Sequence, residues 1–122
     1  MTGSMDQHGV VQAVGAVTEK VEGFYRACRV QGAHDSQGVL IPAANVQHVM
    51  LDPEVLEAVA DGHFHVYAVR HIDEAIELCF DQPHAAIHKA VESQLDALVE
   101  AWKELQSKDG PVRLPGDRQT GV

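Results

Sequence analysis

The sequence is poor in cysteine and in long apolar runs. It has 122 residues with 2 cysteines, Cys28 and Cys79, which lie far apart and form no CxxC pair. Two distant cysteines do not make a disulfide framework, so we expect buried free thiols in a reduced, cytoplasmic setting. No apolar run approaches the roughly 20 residues that a membrane-spanning helix needs, and the polar opening stretch does not resemble a secretory signal. The sequence therefore predicts a soluble protein without a membrane partner.

Positive charge is also scarce. Lys and Arg number 9 against 18 Asp and Glu, which gives a net charge of −9 with neutral histidines. Since no run of Lys or Arg occurs either, a general binder of nucleic-acid backbones is excluded. The sequence contains no phosphate-binding P-loop and no dinucleotide-binding glycine motif. We expect no nucleic-acid partner and no cofactor or metal bound by this chain.

What is present suits one small globular domain, with 45% hydrophobic and 22% charged residues. "MTGSM" and "VVQAV" flank a turn at Gly9 and predict a β-hairpin. Apolar spacing then predicts, in order, a helix over 19–31, a strand "GVLIP" covered on both faces, a helix "PEVLEAVA", a strand "FHVYAV" and a helix "IDEAIELCF". This order predicts an α/β (α+β) fold, with helices packed on a mixed β-sheet and an N-terminal hairpin.

Local signals predict how the helices begin and end. Thr18, Asn45 and Asp52 occupy positions typical of helix caps, and Gly32 and Gly62 positions typical of helix ends. On the first helix, Val21, Phe24, Tyr25 and Cys28 follow the spacing of one buried face. The residues Glu54, Glu57, Glu74 and Glu77 are predicted to face solvent.

A long helix is predicted over 84–107. It carries an apolar seam with spacings of 4, 3, 4 and 3, formed by Val91, Leu95, Leu98, Trp102 and Leu105. Two heptads are too short for a free coiled coil, so the seam predicts packing against the domain or a neighbouring subunit. We divide the chain into a domain over 1–80, a helical extension over 81–108 and a disordered tail over 109–122.

Two histidine pairs have the spacing of metal ligands. His63 and His65 are two apart on a predicted strand, and His84 and His88 are four apart on a predicted helix. Neither pair has a third ligand nearby in the sequence. Solvated or locally hydrogen-bonded histidines are therefore the favoured interpretation, and a metal-binding module stays as an alternative.

Lys20 is the residue whose position is unusual. If Thr18 caps the helix, Lys20 lies in the first helical turn, where the helix dipole disfavours a positive charge. Phe24 lies beside it, so desolvation would favour the neutral amine as well. A neutral amine can take a proton from a hydroxyl and act as a general base. The alternative is that the flexible stem simply carries the ammonium group into water.

Several stretches resemble the proteolytic domain of the Lon protease family, most closely its bacterial LonB-like branch. They are "MTGS", "VGAVTEK", "GVLIPAAN" and "FHVYAVRHIDEAIEL", in the family's order and spacing, and the resemblance covers Met1 to about Phe80. It implies an ATP-dependent serine endopeptidase with a serine–lysine dyad, which degrades unfolded or regulatory proteins and assembles into hexamers. The matching lysine is Lys20, and Thr2 matches a threonine that orients it.

The sequence departs from the family in two ways. Gly15 and Ala16 stand where the family usually has two glycines, which is a mild change. More seriously, the family's nucleophilic serine lies a few dozen residues before the lysine, whereas 19 residues precede Lys20 and hold no matching motif. Ser4 lies on the strand of Thr2 and does not match it. The resemblance therefore implies the carboxyl-terminal part of a truncated proteolytic domain.

The same comparison implies that the module holding ATP and Mg²⁺ is missing. A chain that keeps the base and lacks the nucleophile is expected to be inactive alone. The alternative from another class of protein is a non-enzymatic module that acts through oligomer contacts.

Overall fold

The computed structural model describes residues 1–32 and 35–108. These residues belong to two compact units, Met1–His84 and the chain from Ala85 onward, and each is described by itself. The predicted tail over 109–122 lies outside the described residues. Within the described ranges, no helix is long and apolar enough to cross a membrane.

The first unit begins with the predicted β-hairpin. Strand β1 (Ser4–Met5) pairs antiparallel with β2 (Val11–Gln12), and Ser4 lies opposite Gln12. In the turn, the Asp6 carboxylate accepts hydrogen bonds from the backbone N–H groups of His8 at 2.8 Å and Val10 at 3.0 Å. Gly9 has a φ of 83°, and a Cβ there would lie 2.6 Å from Nε2 of His71. Both the backbone conformation and the space therefore require glycine at this position.

A parallel strand pair forms the centre of the unit. Strand β3 (Gly38–Pro42) pairs with β4 (His65–Val69), in a register that sets Gly38 opposite His65 and Pro42 opposite Val69. Single backbone bonds join the hairpin to this pair, from Thr2 N–H to Leu40 O at 3.0 Å and from Val11 N–H to Arg70 O at 2.8 Å. The predicted mixed sheet is thus an antiparallel pair and a parallel pair, and the α/β fold class is confirmed.

The core lies on both faces of β3. Val39 and Ile41 belong to one buried cluster, with residues of α1 (Val17–Val30) and α2 (Pro53–Ala60). Leu40 belongs to a second cluster, with residues of the hairpin, of β4 and of α3 (Ile72–Phe80). This alternation follows from the two-residue period of a strand. The prediction that "GVLIP" is covered on both faces is confirmed.

The predicted buried face of α1 needs one correction. Val21, Tyr25 and Cys28 are buried as expected, but Phe24 is 44% exposed and Val17 is buried instead. The Phe24 ring reaches the core at its edge, 6.2 Å from the Phe64 ring between centroids. The prediction of two buried thiols is wrong for Cys79, which is exposed at the end of α3, and right for Cys28.

The predicted cap positions are wrong for Thr18 and Asn45 and right for Asp52, but the side chains of all three bond more distant partners. Helix α1 begins at Val17 after the N-cap residue Ala16, and the Thr18 hydroxyl accepts from the Met50 N–H at 3.4 Å. Asn45 lies inside a 3₁₀ helix, Ala43–His48, and bonds the backbone of Val14.

Asp52 stands at the N-cap position of α2, but its side chain makes no cap bond. Its carboxylate pairs with Arg26 at 2.9 Å, and its N–H donates to Glu22 at 2.9 Å, which links α2 to α1. The predicted helix ends hold, since Gly32 and Gly62 adopt φ values of 75° and 78° beyond the last turns.

Helix α4 (His84–Lys108) covers the predicted long helix and one further residue. The five seam residues Val91, Leu95, Leu98, Trp102 and Leu105 are all exposed. On the opposite face, Lys103 pairs with Glu100 at 2.7 Å. The four glutamates predicted to face solvent, on α2 and α3, are exposed as expected.

An ion pair closes the turn between α3 and α4. Nδ1 of His84 lies 2.6 Å from the Glu77 carboxylate, and Nε2 of His84 lies 3.9 Å from the Asp73 carboxylate. The hydrogen bond to Glu77 raises the pKa of His84 above its ordinary 6.5. The same bond lowers the pKa of Glu77 below its ordinary 4.5.

The stability that this pair contributes should depend on pH. The stabilisation that comes from His84 is fully present below pH 6.5 and is lost as the pH rises through the raised pKa of the folded state. The stabilisation that comes from Glu77 is fully present above pH 4.5 and is lost as the pH falls through the lowered pKa of the folded state. We expect Glu77→Gln to lower the pKa of His84, measured by NMR titration of its imidazole. Glu57→Gln, on exposed α2, is the control. An unchanged His84 pKa in Glu77→Gln would contradict the pairing.

Candidate functional site

Lys20 lies in the first turn of α1, four residues after the N-cap residue Ala16. Its backbone N–H donates to Ala16 O at 3.1 Å, which is the first regular bond of the helix. Its side chain folds back along the helix start, and Nζ donates to Gly15 O at 3.2 Å. The ammonium group is therefore held at the helix start, although the residue is exposed.

Lys20 opens onto a cavity of about 360 Å³. Thr2 and Lys20 are its polar lining residues, and its apolar lining residues are Met1, Phe24 and Val39. The bond from Thr2 N–H to Leu40 O keeps Thr2 beside β3, and Phe24 lies one helical turn after Lys20. The structure thus brings together the lysine, the threonine and the aromatic residue that the sequence singled out.

The chemistry available in this cavity is that of an amine beside apolar walls. The polar partner of Nζ among the described residues is Gly15 O, and Thr2 shares the cavity with it. None of the residues described as lining the cavity is a serine; Ser4 donates to the Gln12 side chain at 3.3 Å in the hairpin. The cavity therefore offers an amine and the hydroxyl of Thr2.

Asn45 is the residue of this region whose role was predicted wrongly from the sequence. Instead of capping a helix, its amide donates to Val14 O at 2.9 Å and accepts from Val14 N–H at 3.0 Å. Val14 directly precedes the Gly15–Ala16 turn that leads into α1. Asn45 is the last residue of "GVLIPAAN", one of the stretches that carry the family resemblance. That was the one feature of the sequence that could have indicated a role other than capping.

The left-handed conformation of Ala16 explains why glycine would suit the second position of this turn. Ala16 has φ 56° and ψ 35°, a region that costs a residue with a Cβ energy and that glycine adopts freely. Ala16→Gly should therefore raise the free energy of unfolding by about 1 kcal/mol. Urea unfolding followed by circular dichroism would measure this.

The matched control for this substitution is Ala27→Gly, on the exposed side of α1. Ala27 has an ordinary helical conformation, so glycine should lower the free energy of unfolding by about 0.5–1 kcal/mol there. Equal losses for the two variants would contradict the strain at Ala16.

A larger cavity, of about 480 Å³, lies between α1 and α2. Its rim is mainly acidic, and it is lined by Tyr25, Cys28, Arg29, Asp35, Glu54, Glu57, Ala58, Asp61, His63 and Phe64. It holds neither a lysine nor a serine among the described lining residues. We place the candidate site at the smaller cavity because the residues with assignable chemistry, Lys20 and Thr2, meet there.

The histidine pairs have local partners. His63 lies before β4 rather than on it, which corrects the predicted strand position; its Nδ1 lies 2.8 Å from the Asp35 carboxylate, and Nε2 of His65 lies 2.8 Å from Asp35 O. Within residues 1–32 and 35–108, no group of His, Cys, Asp and Glu is placed to hold a metal ion.

Comparison with known proteins gives two relatives and no matching family model. The chain is 44% identical over 80 residues to a Haemophilus influenzae protein named "Putative Lon protease homolog", and 44% identical over 78 residues to an Escherichia coli K12 protein of the same name. These matches cover 66% and 64% of this chain but 13% of each relative. The chain is thus similar to part of two proteins named as Lon protease homologues and corresponds to a small part of their length.

Proposed function

We propose that this chain is the carboxyl-terminal part of a Lon-type proteolytic domain of the bacterial LonB-like branch. The observation that carries the proposal is the position of Lys20, in the first turn of α1 and beside Thr2 in one cavity. The sequence identity to two proteins named as Lon protease homologues supports it. The activity of the whole protein would be ATP-dependent serine endopeptidase activity on unfolded or regulatory proteins, in the cytoplasm.

In this proposal Lys20 is the general base. It takes the proton of a serine hydroxyl while the serine oxygen attacks the peptide carbonyl. The C–N bond then breaks as the Lys20 ammonium gives that proton to the leaving amine, which leaves the acyl-enzyme. Neutral Lys20 next takes a proton from the water that attacks the ester, and the serine departs as the acid product is released. Phe24 and Val39 form the apolar walls of the cavity in which this step takes place. Thr2 has a supporting role and orients the Lys20 amine.

Two parts of the machinery come from outside the described residues. The serine is supplied by a segment that packs near the Lys20 cavity in the longer protein. ATP and Mg²⁺ would be bound by a separate ATPase module, as the resemblance to the Lon family implies; the sequence itself has no P-loop. No step of the proposed mechanism uses residues of this chain to bind them.

Assayed by itself, the chain should show no serine-peptidase activity, because a base without a nucleophile cannot form an acyl-enzyme. Hydrolysis of a fluorescent unfolded protein should stay at the background level in the wild type and in Lys20→Met alike. Lys20→Met should also fold normally, since it keeps the stem and removes one exposed hydrogen bond. Hydrolysis by the wild type that disappears in Lys20→Met would contradict the predicted inactivity.

The role of Lys20 itself is tested where a serine is present. In the longer protein that includes the upstream reading frame, Lys20→Met should abolish both peptide hydrolysis and labelling of the serine by a fluorophosphonate. Lys103→Met, which removes an exposed lysine on α4, is the control and should retain both. Full labelling in Lys20→Met would overturn the general-base assignment.

We also propose that the chain self-associates through the seam of α4, with a second copy as the partner. The exposed seam needs an apolar partner. Of the positions that flank it, Gln94, Val99, Ala101 and Gln106 carry no charge, and the charged ones, Glu92 and Lys108, lie at opposite ends and have opposite signs. The charged residues Lys89, Asp96 and Glu100 lie toward the opposite face. Two such helices can therefore meet without opposing like charges, which is the condition for self-pairing.

Light scattering over a dilution series would test this association. The wild type should show an average mass above that of a monomer, which decreases on dilution. Leu98→Lys, in the middle of the seam, should shift the chain to the monomer, while Glu100→Gln on the outer face should not. A monomer at every concentration would contradict the proposal.

A further inference from the structure

The Asn45 side chain joins two segments 31 residues apart. Its Oδ1 accepts from Val14 N–H at 3.0 Å and its Nδ2 donates to Val14 O at 2.9 Å. Because the backbone N–H can only donate and the carbonyl can only accept, the two bonds also fix which end of the amide faces which group. One partly buried side chain thus satisfies both polar groups of a residue that belongs to no strand.

The two residues after Val14 provide both anchors of Lys20. Gly15 O accepts from Nζ at 3.2 Å, and Ala16 O accepts from the Lys20 N–H at 3.1 Å. Ala16 holds its carbonyl in place only by adopting a left-handed φ of 56°. A strained conformation of this kind persists when the surrounding structure holds it, and Asn45 is the described side chain that bonds the residue next to the turn.

We propose that Asn45 is a positioning residue for Lys20. It fixes Val14, so that the Gly15–Ala16 turn presents its carbonyls to Lys20 and directs the amine toward the cavity that it shares with Thr2. A role of Asn45 in catalysis rests on the proposed function. The effect of Asn45 on the position of the Lys20 amine does not depend on it. Helix α1 keeps its own packing through Val17, Val21 and Tyr25, so losing Asn45 should release the turn without unfolding the helix.

Only an amide of this length meets the requirement. Aspartate keeps an acceptor for Val14 N–H but has no donor for Val14 O, and alanine has neither. The expected order of effects is therefore wild type, Asn45→Asp, then Asn45→Ala. A role limited to overall stability would not predict that the chemistry of one particular lysine changes in this order.

The experiment measures how fast the Lys20 amine is acylated by a small activated ester, with Lys89 of α4 as the internal reference. Peptide mass spectrometry gives the ratio of the two rates between pH 7 and about 9, a range below the usual pKa of lysine. Releasing Lys20 from Gly15 should raise the ratio by about fivefold in Asn45→Ala, as expected for one lost hydrogen bond. Asn45→Asp should give an intermediate increase.

Val69→Ala is the matched control. It removes volume from the second core cluster, which contains neither Val14 nor Lys20, and therefore destabilises the fold without touching the turn. Its ratio should equal that of the wild type. A wild-type ratio in folded Asn45→Ala, or an equal increase in Val69→Ala, would overturn the proposal; if Asn45→Ala does not fold, Asn45→Asp decides by the same criterion.

This measurement is separate from the peptidase assays. It reads the Lys20 amine directly in this chain and needs no peptidase activity, so it gives the same answer whether or not Lys20 acts as a base. If the proposed function is wrong, Lys20→Met will show full serine labelling. If the positioning inference is wrong, Asn45→Ala will show an unchanged acylation ratio.

Discussion

Strand β3 is the element on which the rest of the first unit depends. Its residues Val39 to Pro42 are buried, because α1 and α2 cover one face and the hairpin and α3 the other. Burial on both faces is possible since β4 satisfies its backbone groups along one edge. On the other edge, Leu40 O accepts from Thr2 N–H. One strand thus holds the core together and also fixes the position of Thr2.

The candidate site is assembled around the same strand. Val39 forms one wall of the cavity, Thr2 lies beside Leu40, and the chain that leaves Pro42 forms the 3₁₀ helix that carries Asn45. Asn45 in turn holds the residue before the Gly15–Ala16 turn, and that turn holds Lys20. A lysine is a flexible side chain that loses entropy when it is held, so a site that uses its amine needs such anchors.

The similarity to two proteins named as Lon protease homologues covers a small part of their length. The chain spans 13% of the length of the relatives it matches, and no nucleophilic serine motif precedes Lys20 in this sequence. The geometry around Lys20 is nevertheless built within this part, from residues between Thr2 and Asn45. The position of the Lys20 amine can therefore be studied in this chain separately from the chemistry that we propose for it.

Local sequence patterns determined the order and type of the elements. Apolar spacing predicted the helices and the doubly covered strand, and glycine positions predicted the hairpin turn and the helix ends, because these features depend on neighbours within a few residues. The cap assigned to Thr18, although wrong by two residues, placed Lys20 in the first turn, and helical spacing placed Phe24 beside it. The family resemblance predicted that Thr2 lies beside Lys20. The spacing of residues along the chain does not show which distant segments lie together.

The tertiary structure alone decided which partner each polar side chain has. Thr18, Asn45 and Asp52 all have sequences around them that are typical of helix caps, yet they bond Met50, Val14 and Arg26. It also decided that Phe24 stands at the edge of a cavity, and that His63 and His65 both reach Asp35. A cap is one of several uses of a short polar side chain, and the choice depends on which backbone groups the packed core brings within about 3 Å. Those groups lie tens of residues away along the chain, so they cannot be predicted from the sequence around each side chain.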